Sequence, residues 1–205
     1  MTESVLTSSF VGDAFLIEQL LRPAVNLYRV SSLAADGRSA GSPVAFVRQK
    51  RMALKEDIRA FADDSEREEL FRIRARRYMD VSGRYDVLDP DEERIGVLER
   101  RFGASLVRST WAVLDGDEQE VAVARERSMG IALARRVKDL IPMGDLVPIP
   151  YHFTLLVGER EVGEVRRSLG VRDRYVLDLG GDPAGVIDRR VGVALAVALD
   201  ALQAR

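Results

Sequence analysis

Residues 182–204, DPAGVIDRRVGVALAVALDALQA, decide the fold. Asp182 is a good N-cap and Pro183 suits a first helical position, so the sequence predicts a helix over about 183–204. From Val191 through Leu199 every residue is apolar or glycine, which leaves this part of the helix no polar face to turn toward water. It must be surrounded on all sides. A membrane span needs about 20 such residues, and this run is interrupted by Asp188, Arg189 and Arg190 before it and by Asp200 after it. The partner is therefore expected to be protein. At 1.5 Å per residue, residues 186–202 form a rod roughly 25 Å long, close to the height of a barrel of tilted strands seven to nine residues long. The segment reads as the plug of a closed β-barrel, with Val186, Ile187, Val191, Val193, Leu195, Val197, Leu199 and Leu202 as its buried side chains.

Working outward, 205 residues of which 46% are hydrophobic can bury a substantial core and form one domain with a short appendage. The absence of cysteine removes disulfide and thiolate chemistry and suits the cytoplasm. With 31 basic and 33 acidic residues there is no global field to attract nucleic acid or an anionic membrane, so such contacts would need a local patch. All but three of the basic residues are arginines, beside abundant Ala, Val and Gly; this is the usage of a GC-rich bacterial genome.

The first residues lack the basic start of a signal peptide. Phe10, Ala14, Ile17 and Leu21 recur at helical spacing before Pro23, predicting a short amphipathic helix over residues 10–21. Such a helix would dock a protein partner or a membrane surface, or pack on its own barrel; the last is preferred because Arg22 is its only basic residue. A possible strand over 25–30 precedes SSLAADGRSAGSP, which reads as a mobile loop. The predicted division is thus an N-terminal segment, 1–42, and a barrel domain, 43–205. Short strands are predicted over 44–50, 58–62 and 70–76. In the third, LFRIRAR, Phe71, Ile73 and Ala75 face one way and Arg72, Arg74 and Arg76 the other.

An internal repeat supplies the strongest local sign of antiparallel structure. Tyr85-x-Val87-Leu88-Asp89-x-Asp91-x-x-x-Ile95-x-Val97 recurs 26 positions later as Trp111-x-Val113-Leu114-Asp115-x-Asp117-x-x-x-Val121-x-Val123, and a shorter copy runs from Phe153 through Gly158 to Val162. Each alternates, turns on Asp, Gly or Pro, and alternates again, which predicts three hairpins. Before the third, Met129, Leu133, Val137 and Leu140 or Ile141 mark one face of a further helix, expected to lie across the outside of the barrel. Several strands, one helix, three strands and a buried C-terminal helix is not the strand–helix alternation of a parallel sheet.

These residues carry a resemblance. The hairpins RYDVLDPDEERIGVLERRFG and STWAVLDGDEQEVAVARE, with the strand RDRYVLDL and the Asp-rich approach to an apolar final helix, resemble the LURP-one-related family, relatives of the Tubby C-terminal domain and the phospholipid scramblases, over about residues 43–202. The resemblance implies a mainly β fold: a closed antiparallel barrel of about twelve strands around a hydrophobic C-terminal helix. It also implies membrane lipids, because Tubby domains bind phosphoinositide headgroups and scramblases are associated with lipid movement. No headgroup residue of those relatives is carried over to this chain.

The search for chemistry returns little. The lone His152 alternates with Tyr151 and Phe153, is expected beside Thr154 on the outer face, and cannot make a histidine-based metal site. No catalytic residue, metal site or cofactor is proposed. Asp89, Asp91 and Glu93 imitate the opening of a calcium loop, but Arg94 stands where such a loop needs Gly and Arg100 where it needs its closing Glu. The one binding candidate is Arg72, Arg74 and Arg76 with Arg77, whose guanidiniums could grip a lipid phosphate by paired hydrogen bonds. The plainer reading is a solvated wall paired to carboxylates, with Asp86 a ready partner. Two functions follow: a non-enzymatic module at an anionic phospholipid surface, cytoplasmic and peripheral to the membrane, or a structural or protein-interaction scaffold. An enzyme with a cavity between plug and wall is disfavoured by Gly192, Ala194, Ala196 and Ala198, which let strands approach the helix closely.

Overall fold

A computed structural model describes residues 10–22, 25–50, 57–76, 83–101, 109–127, 152–168 and 174–203. The alternating stretches form twelve strands: β1 (Ala14–Arg22), β2 (Val25–Leu33), β3 (Ala40–Lys50), β4 (Asp57–Phe61), β5 (Glu69–Ala75), β6 (Arg84–Leu88), β7 (Arg94–Arg101), β8 (Thr110–Asp115), β9 (Glu120–Glu126), β10 (His152–Val157), β11 (Arg160–Ser168) and β12 (Arg174–Asp178). Each pairs antiparallel with its neighbours in sequence, and β1 pairs with β12 to close the barrel, so no strand edge is left open. The three hairpins of the repeat are β6–β7, β8–β9 and β10–β11.

Among the described residues one helix, α1 (Arg189–Gln203), runs inside the wall. Every residue from Val191 through Leu199 is buried, in the same cluster as Phe15, Tyr28, Phe71, Trp111, Phe153 and Tyr175 from around the wall. This is the closed barrel around a hydrophobic helix that the sequence predicts. Small residues set the fit: a Cβ at Gly96 of β7 would sit 2.8 Å from Val191 Cγ2, closer than side chains tolerate. Both ends of the helix are tied. At the start, Arg189 bonds the buried Asp182 (Nη1–Oδ2 2.8 Å) and Asp13 just before β1 (Nη2–Oδ1 2.5 Å). At the end, the hydroxyls of Tyr28 on β2 (2.7 Å) and Tyr175 on β12 both donate to the carboxylate of Asp200.

Several expectations are corrected. Residues 10–21 do not form an amphipathic helix: most of them are β1, whose register sets Phe15 opposite Leu177 and Ile17 opposite Tyr175. With Phe10, Phe15 and Ile17 buried in the core, the face proposed to dock a partner is turned inward. Helical and strand spacing both fit this segment, and the unpaired edges of β2 and β12 decide for the strand. The barrel therefore begins at Ala14, not near Pro43, and β1 and β2 are staves of it. The predicted loop shrinks to a hairpin turn, because β2 runs to Leu33 and β3 starts at Ala40.

The final helix begins at Arg189, not at 183. Gly185, at φ +66, breaks the chain into a turn that Asp182 caps from below, accepting the amides of Val186 (3.0 Å) and Ile187 (2.9 Å). Asp188 is the true cap: its carbonyl accepts the Gly192 amide (2.9 Å) and its carboxylate the Arg190 amide (2.8 Å). Val186 is accordingly not a plug residue but 38% exposed, while Ile187, Val191, Val193, Leu195, Val197 and Leu199 are buried. The side chain of Leu202 and the helix expected around 129–141 lie outside the described residues.

Full burial of a large aliphatic side chain is worth about 1.5–3 kcal/mol, so the helix contributes on the order of 10 kcal/mol gross, comparable to the net stability of a domain. Leu195→Ala should lower the unfolding free energy in urea by about 2–5 kcal/mol, and Leu195→Asp should show no cooperative transition. A Leu195→Ala loss below about 0.5 kcal/mol would place that side chain in water.

Candidate functional site: a wall of arginines and turn glutamates

β5 alternates as its sequence requires. Phe71 and Ile73 are buried, while Arg72 and Arg74 point outward with Arg76 just beyond the strand end. Arg77 lies outside the described residues. The stripe divides in two. Arg72 bonds Glu69 (Nε–Oε1 2.5 Å) and Glu92 (Nη1–Oε1 2.7 Å), and Arg74 reaches the same Glu92 oxygen at 3.3 Å. Arg76 turns the other way, onto Asp86 (Nε–Oδ1 2.8 Å) and Glu118 (Nη2–Oε1 3.0 Å). Asp86 is thus a partner of the stripe, as the sequence suggests.

Two further arginines join this wall. Arg84 on β6 binds Glu99 (Nη2–Oε2 2.5 Å) and approaches Glu118 at 3.5 Å. Arg94 on β7 meets Glu118 at 2.9 Å and donates to the Gly116 carbonyl at 2.9 Å. Arg72, Arg74, Arg76, Arg84 and Arg94 are matched by Glu69, Asp86, Glu92, Glu99 and Glu118, so the patch is rich in guanidinium yet close to neutral.

Glu92 and Glu118 hold equivalent positions of the internal repeat. In both hairpins the backbone amide of the turn's first Asp donates to the carbonyl of the residue four further on (Asp89 to Glu93, Asp115 to Gln119, each 2.9 Å), and its carboxylate accepts that residue's amide. Asp89 is therefore a turn-closing acid. The geometry forces Glu92 (φ 66) and Glu118 (φ 62) into the left-handed region, and Glu66 in the β4–β5 turn does the same (φ 56) while bonding Arg48 at 2.6 Å. That region disfavours any side chain with a Cβ, and the equivalent turn of β10–β11 uses Gly158 at φ 60. The glutamates occupy unfavourable backbone positions from which their carboxylates reach arginines of the neighbouring strands. The repeat aligns them, and that alignment was the available signal.

His152 lies where expected, opposite the buried Phe153, with its Nε2 at 2.6 Å from Glu164 Oε2 on β11. Among the described residues no three His, Asp or Glu side chains are grouped to hold a metal ion, and no helix is long and apolar enough to cross a membrane.

The arginines also bias titration. The hydrogen bond from Arg76, helped by the charges of Arg94 and Arg84, holds the Glu118 carboxyl below the ordinary carboxylate range, and Arg74 followed by Arg72 does so for Glu92. A depressed folded-state pKa adds stability that is present above the unfolded value and lost as pH falls through the folded one. The stability advantage of the wild type over Glu118→Gln should hold from neutrality down through the ordinary carboxylate range, vanish below it, and shrink in 1 M salt at pH 7. Denaturation midpoints measured against pH would contradict this if the two proteins did not differ at pH 7.

No curated protein matches the chain. The model of the LURP-one-related family matches residues 44–200, from the middle of β3 to within α1. The matched stretch holds the arginine wall and all three hairpins of the repeat. With well over half its length matched and a closed barrel around its last helix, this chain belongs to the LURP-one-related family.

Proposed function

We propose that the chain is a non-enzymatic barrel module that meets anionic phospholipid headgroups through the outer wall around Arg72, Arg74 and Arg76, as a cytoplasmic protein peripheral to the membrane. The observation that carries this reading is the pair Arg72 and Arg74 sharing one exposed turn carboxylate, Glu92, at 2.7 and 3.3 Å. Arg74 is 44% and Glu92 56% exposed, so exchanging that carboxylate for a lipid phosphate requires no rearrangement of the core. The kinship of this family with Tubby domains and scramblases supports the same ligand class. The non-enzymatic part rests on the interior, where Gly192, Ala194, Ala196 and Ala198 are buried among the wall residues and α1 fills the space in which other closed barrels hold a ligand.

A second reading, a structural or protein-interaction scaffold, is favoured by the match between the wall's arginines and carboxylates, which suits a partner of mixed charge better than a uniformly anionic membrane. Sedimentation with liposomes at physiological salt separates the two. The lipid reading expects binding to vesicles containing phosphatidylserine or a phosphoinositide, none to phosphatidylcholine alone, and loss of binding when Arg72, Arg74 and Arg76 are all changed to Ala. Wild-type protein left in the supernatant with every vesicle contradicts it and favours the scaffold.

A further inference from the structure

We infer that Arg76, Arg84 and Arg94 form an oxyanion cradle for a phosphate monoester, and that Glu118 is its built-in occupant, which the ligand displaces. Three guanidiniums from the end of β5, from β6 and from β7 converge on this one carboxylate. Oε1 meets Arg76 Nη2 at 3.0 Å and Arg94 Nη1 at 2.9 Å; Oε2 meets Arg76 Nη1 at 3.2 Å and Arg84 Nη1 at 3.5 Å. Arg76 grips both carboxylate oxygens as a fork, while Arg94 and Arg84 each bring one further guanidinium charge to a different oxygen, an arrangement that also suits a phosphate.

The cradle does not depend on its occupant for its shape. Arg76 is held by Asp86 (Nε–Oδ1 2.8 Å), Arg84 by Glu99 (Nε–Oε2 2.8 Å) and Arg94 by the Gly116 carbonyl (Nε–O 2.9 Å), none of which involves the Glu118 side chain. With Glu118 withdrawn, three guanidiniums face two fixed carboxylates, leaving a net positive site open to solvent. Glu118 itself is one-third exposed (33%) on a turn, tethered only by its backbone, and stands at a φ of 62° that glycine would adopt more readily. It gains nothing from that backbone position except the reach of its carboxylate. A tethered carboxylate competes at high effective concentration, so the resident cradle binds phosphate weakly and a variant without the tether binds it more tightly.

This inference is independent of whether the wall meets a membrane, since the phosphate could be carried by a lipid headgroup or by a soluble monoester. The test titrates inorganic phosphate into the full chain by calorimetry at fixed ionic strength. Glu118→Gly keeps the turn conformation and removes the carboxylate; it should bind phosphate at least about tenfold more tightly than wild type. Adding Arg94→Ala should abolish that gain, and Glu66→Gly, at the same φ sign but set against Arg48, should show none. No gain for Glu118→Gly, or a gain indifferent to Arg94, overturns the cradle and leaves Glu118 as a strap between strands. A second arm uses phosphatidylcholine vesicles with and without a phosphatidylinositol monophosphate. Sedimentation of Glu118→Gly with the phosphoinositide vesicles supports the cradle with a headgroup as its source. Phosphate binding without vesicle binding also supports the cradle and assigns the phosphate to a soluble monoester; the membrane reading through Arg72 and Arg74 is decided separately by the wild-type sedimentation above.

Discussion

The structure depends on one constraint: a helix that is apolar on every side has to be enclosed. Val191 to Leu199 offers water no polar surface, and its own backbone bonds are satisfied internally, so what it lacks is only an apolar jacket. Twelve antiparallel strands supply it and, by closing β1 onto β12, also dispose of their own edges. The two requirements solve each other. The tethers at the helix ends then fix its register inside the wall: Arg189 on Asp182 and Asp13 at one end, Asp200 on Tyr28 and Tyr175 at the other. A hydrophobic rod in a hydrophobic sleeve could slide or turn at little cost, whereas buried charge and hydroxyl partners accept only one arrangement.

The interior is given over to packing, and on the outer surface around β5 to β7 the chemistry is arginine against carboxylate. The hairpin repeat matters for this surface. It places Glu92 and Glu118 at matching turn positions, each reaching arginines on adjoining strands, so a strained backbone is repeated together with a pattern of charge. The wall is nearly neutral as a whole while concentrating guanidinium groups locally. That combination gives little long-range electrostatic steering and confines strong charge effects to short range.

What the sequence reveals follows the range of the interactions involved. The three hairpins were legible because both strands and the turn lie within a single short stretch, and the buried helix because its composition excludes any other environment. The segment FLIEQLLR was not, since Phe10, Ala14, Ile17 and Leu21 satisfy a helical period while Phe15 and Ile17 satisfy a strand. The deciding partner, Leu177 or Tyr175 on β12, lies at the far end of the chain. The start of α1 misled for a local reason: Asp182 and Pro183 imitate a helix beginning, and only the backbone at Gly185 shows that a turn intervenes before Asp188. The basic stripe on β5 and its partner Asp86 were visible, but the turn glutamates that meet it were not. Arg76 and Glu118 are 42 residues apart, and the convergence of Arg84 and Arg94 on that carboxylate is set by the register of β6 and β7.

The enclosure of α1 is tested most directly by native-state amide hydrogen exchange. If the wall surrounds the helix, the amides of residues 193–199 exchange only when the whole barrel unfolds, at the same free energy as the slowest wall strands and with the denaturant dependence of global unfolding. Exchange of those amides at a markedly lower free energy, while β8 and β11 stay protected, would mean that the helix leaves a barrel still standing, and would contradict the account.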